Sequence, residues 1–228
     1  MSFWVSVMSD FEVASRNGWL HSFPESEARS CFFHFRQANY RRIQHDADLM
    51  ELESNATFSL NLRSLIALAF IPPSDVSASF EELLRSDFFE ENKDTLDNYV
   101  SYFRNTWIGA FDPAGTRQTP MFPIPLWNCY LSVLRGLPKT NNYCEGFHRG
   151  FSSMLSVHHP TLPKLVTGLL KEQAITTFKS EQFVAAIFEK PPKSVMDQRD
   201  RLKTAVDRYG KIPRSEYIRG ICHCIALK

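Results

Sequence analysis

Two short apolar runs, residues 3–8 (FWVSVM) and 28–33 (ARSCFF), each lead into a stretch patterned for helix, and beyond residue 50 the pattern turns helical. Val5 and Val7 and the brevity of the first run suit a strand buried on both faces. Residues 11–21 read as the helix that follows, stopped by Phe23-Pro24. Residues 28–33 read as a second buried strand, and residues 35–46 as a helix with a basic polar face. Strand, helix, strand, helix in that order demands parallel pairing through a right-handed crossover. The predicted class is α+β, predominantly α-helical: a small α/β edge of about two parallel strands, then a large helical assembly.

Helices are predicted over residues 60–71, closed by Pro72-Pro73, and over 77–89, with acidic residues in the early turns. In residues 95–107, Leu96, Tyr99, Val100, Phe103 and Trp107 recur on one face at helical spacing. Residues 112–125, rich in Pro, Gly and Thr, read as a loop. Further helices are predicted over 126–134, 142–157, 161–178, 195–209 and 215–226, with no internal repeat or low-complexity tract.

Apolar residues make up 43% of the 228, with 19 Phe, 7 Tyr and 4 Trp, enough to fill a core. Twenty-six basic residues stand against 25 acidic, a net charge of +1, so the basic excess of a self-sufficient nucleic-acid module is lacking, while a local basic groove is left open. Five irregularly spaced cysteines (Cys31, Cys129, Cys144, Cys222, Cys224) point to free thiols in a reducing, intracellular compartment. The uncharged stretch 118–134 contains Pro120, Pro123 and Pro125 and is too short to span a bilayer comfortably, so no membrane association is expected.

Three segments stand out together: SDFEVA (residues 9–14), CFFHFRQANYRR (31–42) and LPKTNNYCEGFHRGF (137–151), with WIG (107–109) and FPIPLWNCY (122–130) between them. In this order and spacing they resemble the Mutator-like (MULE) transposases and their host-domesticated relatives. The resemblance implies a ribonuclease-H-like fold whose Asp, Asp and Glu carboxylates bind two divalent cations, Mg²⁺ or Mn²⁺, with a helical insertion before the Glu. Asp10 matches the second Asp and Glu145 the Glu, as catalytic and metal-binding residues. The domains implied are residues 1–50, a remnant of the catalytic core; 51–136, the helical insertion; and 137–228, the catalytic-Glu helix with a C-terminal helical region. Only nine residues precede Asp10, so the first catalytic Asp is expected to be missing and the chain inactive alone.

Each candidate has a plainer reading beside it. Strand cleavage at phosphorus needs paired metals that bind the attacking and leaving oxygens, yet Ser9 and Glu12 also form a capping box around Asp10, as Asn142 does with Glu145. On the helix of residues 142–157, Glu145, His148, Arg149 and Ser152 share a polar stripe opposite Phe147, Phe151, Met154 and Leu155. Arg36, Arg41, Arg42, Lys139, His148 and Arg149 are the candidate DNA-phosphate contacts; as separate residues they also suit a solvated surface. Cys31 and His34 have the spacing of a zinc half-site that Cys222, His223 or Cys224 would complete, whereas the apolar run around Cys31 favours a buried thiol. Trp107, Trp127, Phe122 and Tyr130 read as core.

The expected function is that of a transposase-derived protein, ancestrally a metal-dependent DNA strand cleavage and transfer enzyme acting on transposon ends, with nuclear residence implied by ancestry. The alternative is a domesticated, non-catalytic module binding DNA or a protein partner. A third reading makes Met1 a wrong start and the true chain an intact enzyme. The unpaired edge of a two-stranded sheet predicts poor solubility unless the helices cover it.

Overall fold

The computed structural model of the chain describes residues 6–187 and 190–227. Contacts divide it into a first unit, Met1–Thr140 with Asp197–Lys228, and a second, Asn141–Met196. As the sequence predicts, it is mostly helical with one small parallel sheet.

In the first unit, β1 (Ser6–Ser9) leads through α1 (Val13–Ser22) to β2 (Glu27–Ser30), and the strands pair parallel, Ser6 opposite Glu27 and Ser9 opposite Ser30. Residues 3–5 of the predicted first strand lie outside the described residues. The second strand ends sooner than predicted. Cys31 donates its N–H to Ser9 O (2.8 Å), continuing the strand pairing, and then caps α2 (Phe32–Gln44). Phe32 and Phe33 therefore enter a helix, and Cys31 is a buried capping residue rather than a strand residue. Apolar runs this short do not distinguish a strand end from a buried first turn. The packing of α1 is loose: none of its residues is buried, and a cleft of about 300 Å³ is lined by Val7, Ser9, Arg16, Trp19 and Ala28.

The helical body of the first unit follows: α3 (Ala47–Glu53), α4 (Ala56–Ala67) running into a 3₁₀ turn (Leu68–Phe70), α5 (Val76–Leu84), α6 (Asp87–Glu91), and α7 (Lys93–Phe103) running into a π-helical turn (Arg104–Ile108). After it come α8 (Ile124–Trp127) and α9 (Tyr130–Leu134). Helix α3 was not expected; Asp46 starts it by accepting from Leu49 N (3.2 Å). Asn55 starts α4 four residues before the predicted boundary by accepting from Thr57 N and Phe58 N (2.9 and 3.0 Å). The single helix predicted over 77–89 is two, parted at Arg85-Ser86, and that over 126–134 is also two, parted at Asn128-Cys129.

Gly109 stops the π-helical turn. It lies at φ +96°, donates to Arg104 O (2.7 Å), and a Cβ there would run into the Gln118 carbonyl. Residues 110–118 form the first part of a loop predicted over 112–125, whose last two residues instead begin α8; it is held by a Phe111–Arg117 bridge and by Arg117, which donates to Gly109 O (2.8 Å) and pairs with Glu81 (3.0 Å).

The C-terminal part returns to this body. Chain 197–228 contributes most of α12 (Lys193–Val206), which buries Leu202 and Val206, and α13 (Arg214–Cys224), which packs on α4. Tyr217 Oη donates to Phe70 O, and Tyr209 Oη to Asp75 Oδ2 (2.6 Å). Phe35, Phe70, Phe80, Tyr99, Phe103, Trp107 and Trp127 fill the core, each burial contributing on the order of 1.5–3 kcal/mol before entropy is counted.

The second unit holds α10 (Asn142–Leu155) and α11 (Leu162–Val184). The cap of α10 is Asn141, one residue earlier than predicted, and the helix ends at Ser156 in the left-handed region (φ 57°). Gly168 of α11 lies against Leu155 and Phe151, where a Cβ would come 2.7 Å from a Leu155 methyl. Among the described residues of this unit, Leu155 and Gly168 are the buried ones.

Candidate functional site

The C-terminal ends of β1 and β2 form a rim, where open parallel sheets place their ligands. Asp10 is the first residue past β1 and is exposed. Its Oδ1 accepts from Glu12 N (3.2 Å), and Ser9 Oγ donates to Asp10 O (3.0 Å). This is an Asx turn. The capping box predicted between Ser9 and Glu12 does not form: Glu12 itself is the N-cap of α1 and makes no side-chain cap bond. The aspartate satisfies the turn locally and so removes the need for the reciprocal cap.

Phe11 fixes the position of Asp10. Its ring sits edge-on to Trp107 (centroids 5.0 Å) and Phe122 (4.8 Å), which stack on each other (5.1 Å). Trp107 and Trp127 also flank Phe35 of α2, at 4.9 and 4.8 Å. The WIG and FPIP segments therefore act as the aromatic seat of the rim; Trp107 and Trp127 are core, as the sequence predicts, while Phe122 and Tyr130 are half-buried against it.

Cations gather at the same end of α2. Lys139 O accepts from Phe32 N (2.8 Å), and the buried Arg29 of β2 donates to Ser132 Oγ and to Pro138 O (3.2 Å). Together these bonds tie residues 138–139 to the end of β2 and the first turn of α2. Burial lowers the pKa of Lys139, and the charges of Arg199 and Arg36 lower it further, while the nearby Cys129 acts the other way. Burial likewise lowers Arg36, whose guanidinium lies over the Phe33 ring (5.6 Å). Lys139 thus feels the charge of both Arg36 and Arg199. Arg199 was not legible in the sequence, because no local pattern connects α12 to the start of α2.

Other predicted residues lie elsewhere. Arg41 and Arg42 occupy the last turn of α2, where they complement the helix dipole, and Arg42 lies over Tyr102 (5.7 Å). At about 1.5 Å per residue that end is roughly 14 Å along the helix from its start. Glu145, His148 and Arg149 belong to α10 of the second unit; Glu145 is half-buried, and His148 and Arg149 are exposed. On the opposite stripe Phe147 and Phe151 stack at 5.9 Å, and only Leu155 is buried.

Cys31 is buried and His34 half-buried at the start of α2. No group of three or more His, Cys, Asp or Glu side chains among the described residues is placed to hold a metal ion. A structural zinc needs four donors. On α13, Cys222 is buried and its thiol pushed up to about 12, chiefly by desolvation, while His223 is exposed. Among the described residues, no further donors therefore stand with Cys31 and His34 to complete a structural zinc site. No helix among the described residues is long and apolar enough to cross a membrane. No protein-family profile, curated protein or solved structure matches the chain.

Proposed function

We propose that the chain is a transposase-derived, DNA-associated protein of the Mutator-like type, resident with nuclear DNA and without strand-cleaving activity of its own. The observation that carries this reading is the rim of the sheet. An exposed Asp10 stands at the C-terminal end of β1, and Arg36 and Lys139 gather at the start of α2 beside the end of β2. Carboxylate and cations near one strand-end rim are the chemistry of a phosphodiester with a divalent counter-ion. Mg²⁺ or Mn²⁺ bound at Asp10 would neutralise phosphate charge; hard oxygen ligands suit both ions. The chain's own residues supply two of the three acidic positions of the resemblance. Two-metal cleavage needs a bridging carboxylate as well, so binding without cleavage is the expected behaviour.

Fluorescence anisotropy with labelled duplex DNA, read across a salt series, tests the binding half. Arg36→Ala and Lys139→Ala should each weaken binding for all sequences alike and reduce the salt slope by about 1. Arg41→Ala, at the far end of α2, should change little. Equal loss from all three variants would reduce the interaction to diffuse charge, and no binding at low salt would remove the reading. For the catalytic half, the purified chain with Mg²⁺ or Mn²⁺ should leave terminal-repeat DNA intact; efficient nicking would overturn the claim.

A second reading is favoured by the second unit. Tyr143, Leu162 and Phe178 are 75%, 73% and 60% exposed, as expected of a helical hairpin that meets a protein partner. In such an interaction module Glu145→Ala would leave partner binding intact.

A further inference from the structure

A parallel sheet is ordinarily buried on both faces and continued at its edges, and two strands alone are marginal in water. Here the sheet has the order β1-β2, so β1 has no strand on its other side among the described residues. The two strands differ in how they are protected. β2 carries Glu27 and Arg29, packs against α8, and binds Ser132 and Pro138 through Arg29. β1 is Ser-Val-Met-Ser, and the first charge or proline in the chain comes only after it. Natural edge strands are usually guarded by charge, proline or a bulge. β1 has no charge or proline.

The direction of its hydrogen-bonding groups follows from one bond. Ser9 O accepts from Cys31 N (2.8 Å), on the β2 side. In an extended strand the N–H and C=O of one residue point the same way, and the direction alternates along the chain. Met8 and Ser6 therefore direct both groups away from β2. Such groups, with no strand beside them among the described residues, are costly unless water or another strand satisfies them.

We propose that the outer edge of β1 is an interface for a second copy of this chain, the two β1 strands pairing antiparallel about a twofold axis to give a four-stranded sheet ordered β2-β1-β1-β2. An uncharged edge selects an uncharged strand. Of the two strands described, β1 alone qualifies, and twofold pairing sets it against itself with no like charges opposed. The inference does not depend on the DNA-binding reading, since neither Asp10 nor the rim cations take part.

Sedimentation equilibrium of the whole chain without DNA tests it. The expected result is reversible association between the 26.3 kDa monomer and a dimer over the micromolar range. Ser6 is exposed, so Ser6→Lys places a charge on the edge with little effect on packing and should raise the dissociation constant at least about tenfold; Ser6→Thr should not. Met8→Pro removes an outward N–H and should act in the same direction. Amide exchange of Ser6 and Met8 in the unmodified chain gives a readout free of variants: their protection should rise with protein concentration. A monomer throughout, a dimer indifferent to both edge variants, or growth into open polymers would each overturn the pairing.

Discussion

Tyr209 and Asp75 form a bond between parts of the chain far apart in sequence, and its chemistry sets a pH dependence. The phenol donates to Asp75 Oδ2 (2.6 Å), and Ser74 Oγ donates to Asp75 Oδ1 (2.9 Å). The Tyr209 bond, then that of Ser74, holds the Asp75 carboxyl below its ordinary range; burial, then the bond to the carboxylate, pushes Tyr209 up to about 12. A depressed carboxyl stabilises the fold above its unfolded pKa of about 3.9 and loses that contribution as pH falls through the folded value. A raised phenol is stabilising below about 10 and loses its contribution as pH rises through about 12. Tyr209→Phe should therefore cost about 1 kcal/mol at neutral pH, the group being half-exposed. The cost should shrink in acid below the ordinary carboxylate range. Urea midpoints for both proteins at neutral and acid pH check this, and a cost independent of pH would show that the bond to the ionised carboxylate is not its source. Nothing in the sequence announced the pair, since Asp75 is one of many acidic residues and Tyr209 one of seven tyrosines.

Element boundaries show which signals are local and which are not. The parallel strand–helix–strand start, the closure at Pro72-Pro73 and the loop around residues 112–125 were legible because turn chemistry and apolar periodicity act over a few residues. The end of β2 was not legible. Whether Phe32 and Phe33 continue a strand or begin a helix depends on the bond from Phe32 N to Lys139 O, supplied by chain more than a hundred residues later. The same holds for the site: Asp10 and Arg36 were found from sequence, whereas Arg29 and Arg199 act through tertiary placement. The π-helical turn Arg104–Ile108 is indistinguishable from plain helix in the sequence because Trp107 and Phe103 keep apolar spacing through it. Its termination depends on Gly109, which needs both positive φ and a missing Cβ to pass the Gln118 carbonyl. Gly109→Ala should destabilise the first unit by about 2–3 kcal/mol, combining φ strain with a backbone collision. Because Trp107 seats Phe11, the same variant should also loosen the rim. Denaturant unfolding measures the first effect, and tryptophan emission in the native state the second. A change under about 0.5 kcal/mol, the size of an ordinary surface substitution, would show that the turn relaxes freely.

Across the whole molecule, burial is divided unequally, and local stability should follow it. The first unit encloses one continuous cluster running from Phe32 through Trp107 and Trp127 to Tyr217 and Ile221. In the second unit, α10 and α11 meet through Phe151, Leu155 and Gly168, and Leu155 is its one buried large side chain among the described residues. Val166, Leu169, Leu170 and Phe178 of α11 are exposed. Helices gain most of their stability from packing an apolar face, and α11, though the longest helix described at 23 residues, buries little. Its amides should therefore open through local unfolding well below the global free energy. In native-state hydrogen exchange at neutral pH, α4 and α13 should be protected at least about a hundredfold more than α11, a difference of roughly 3 kcal/mol. Adding denaturant should merge α4 and α13 into one late unfolding event, with α11 already exchanged. If α11 exchanged only in that same global event, its apolar face would have to be covered in solution, by another molecule or another arrangement, and the exposed side chains would then mark an interface rather than a weak hairpin.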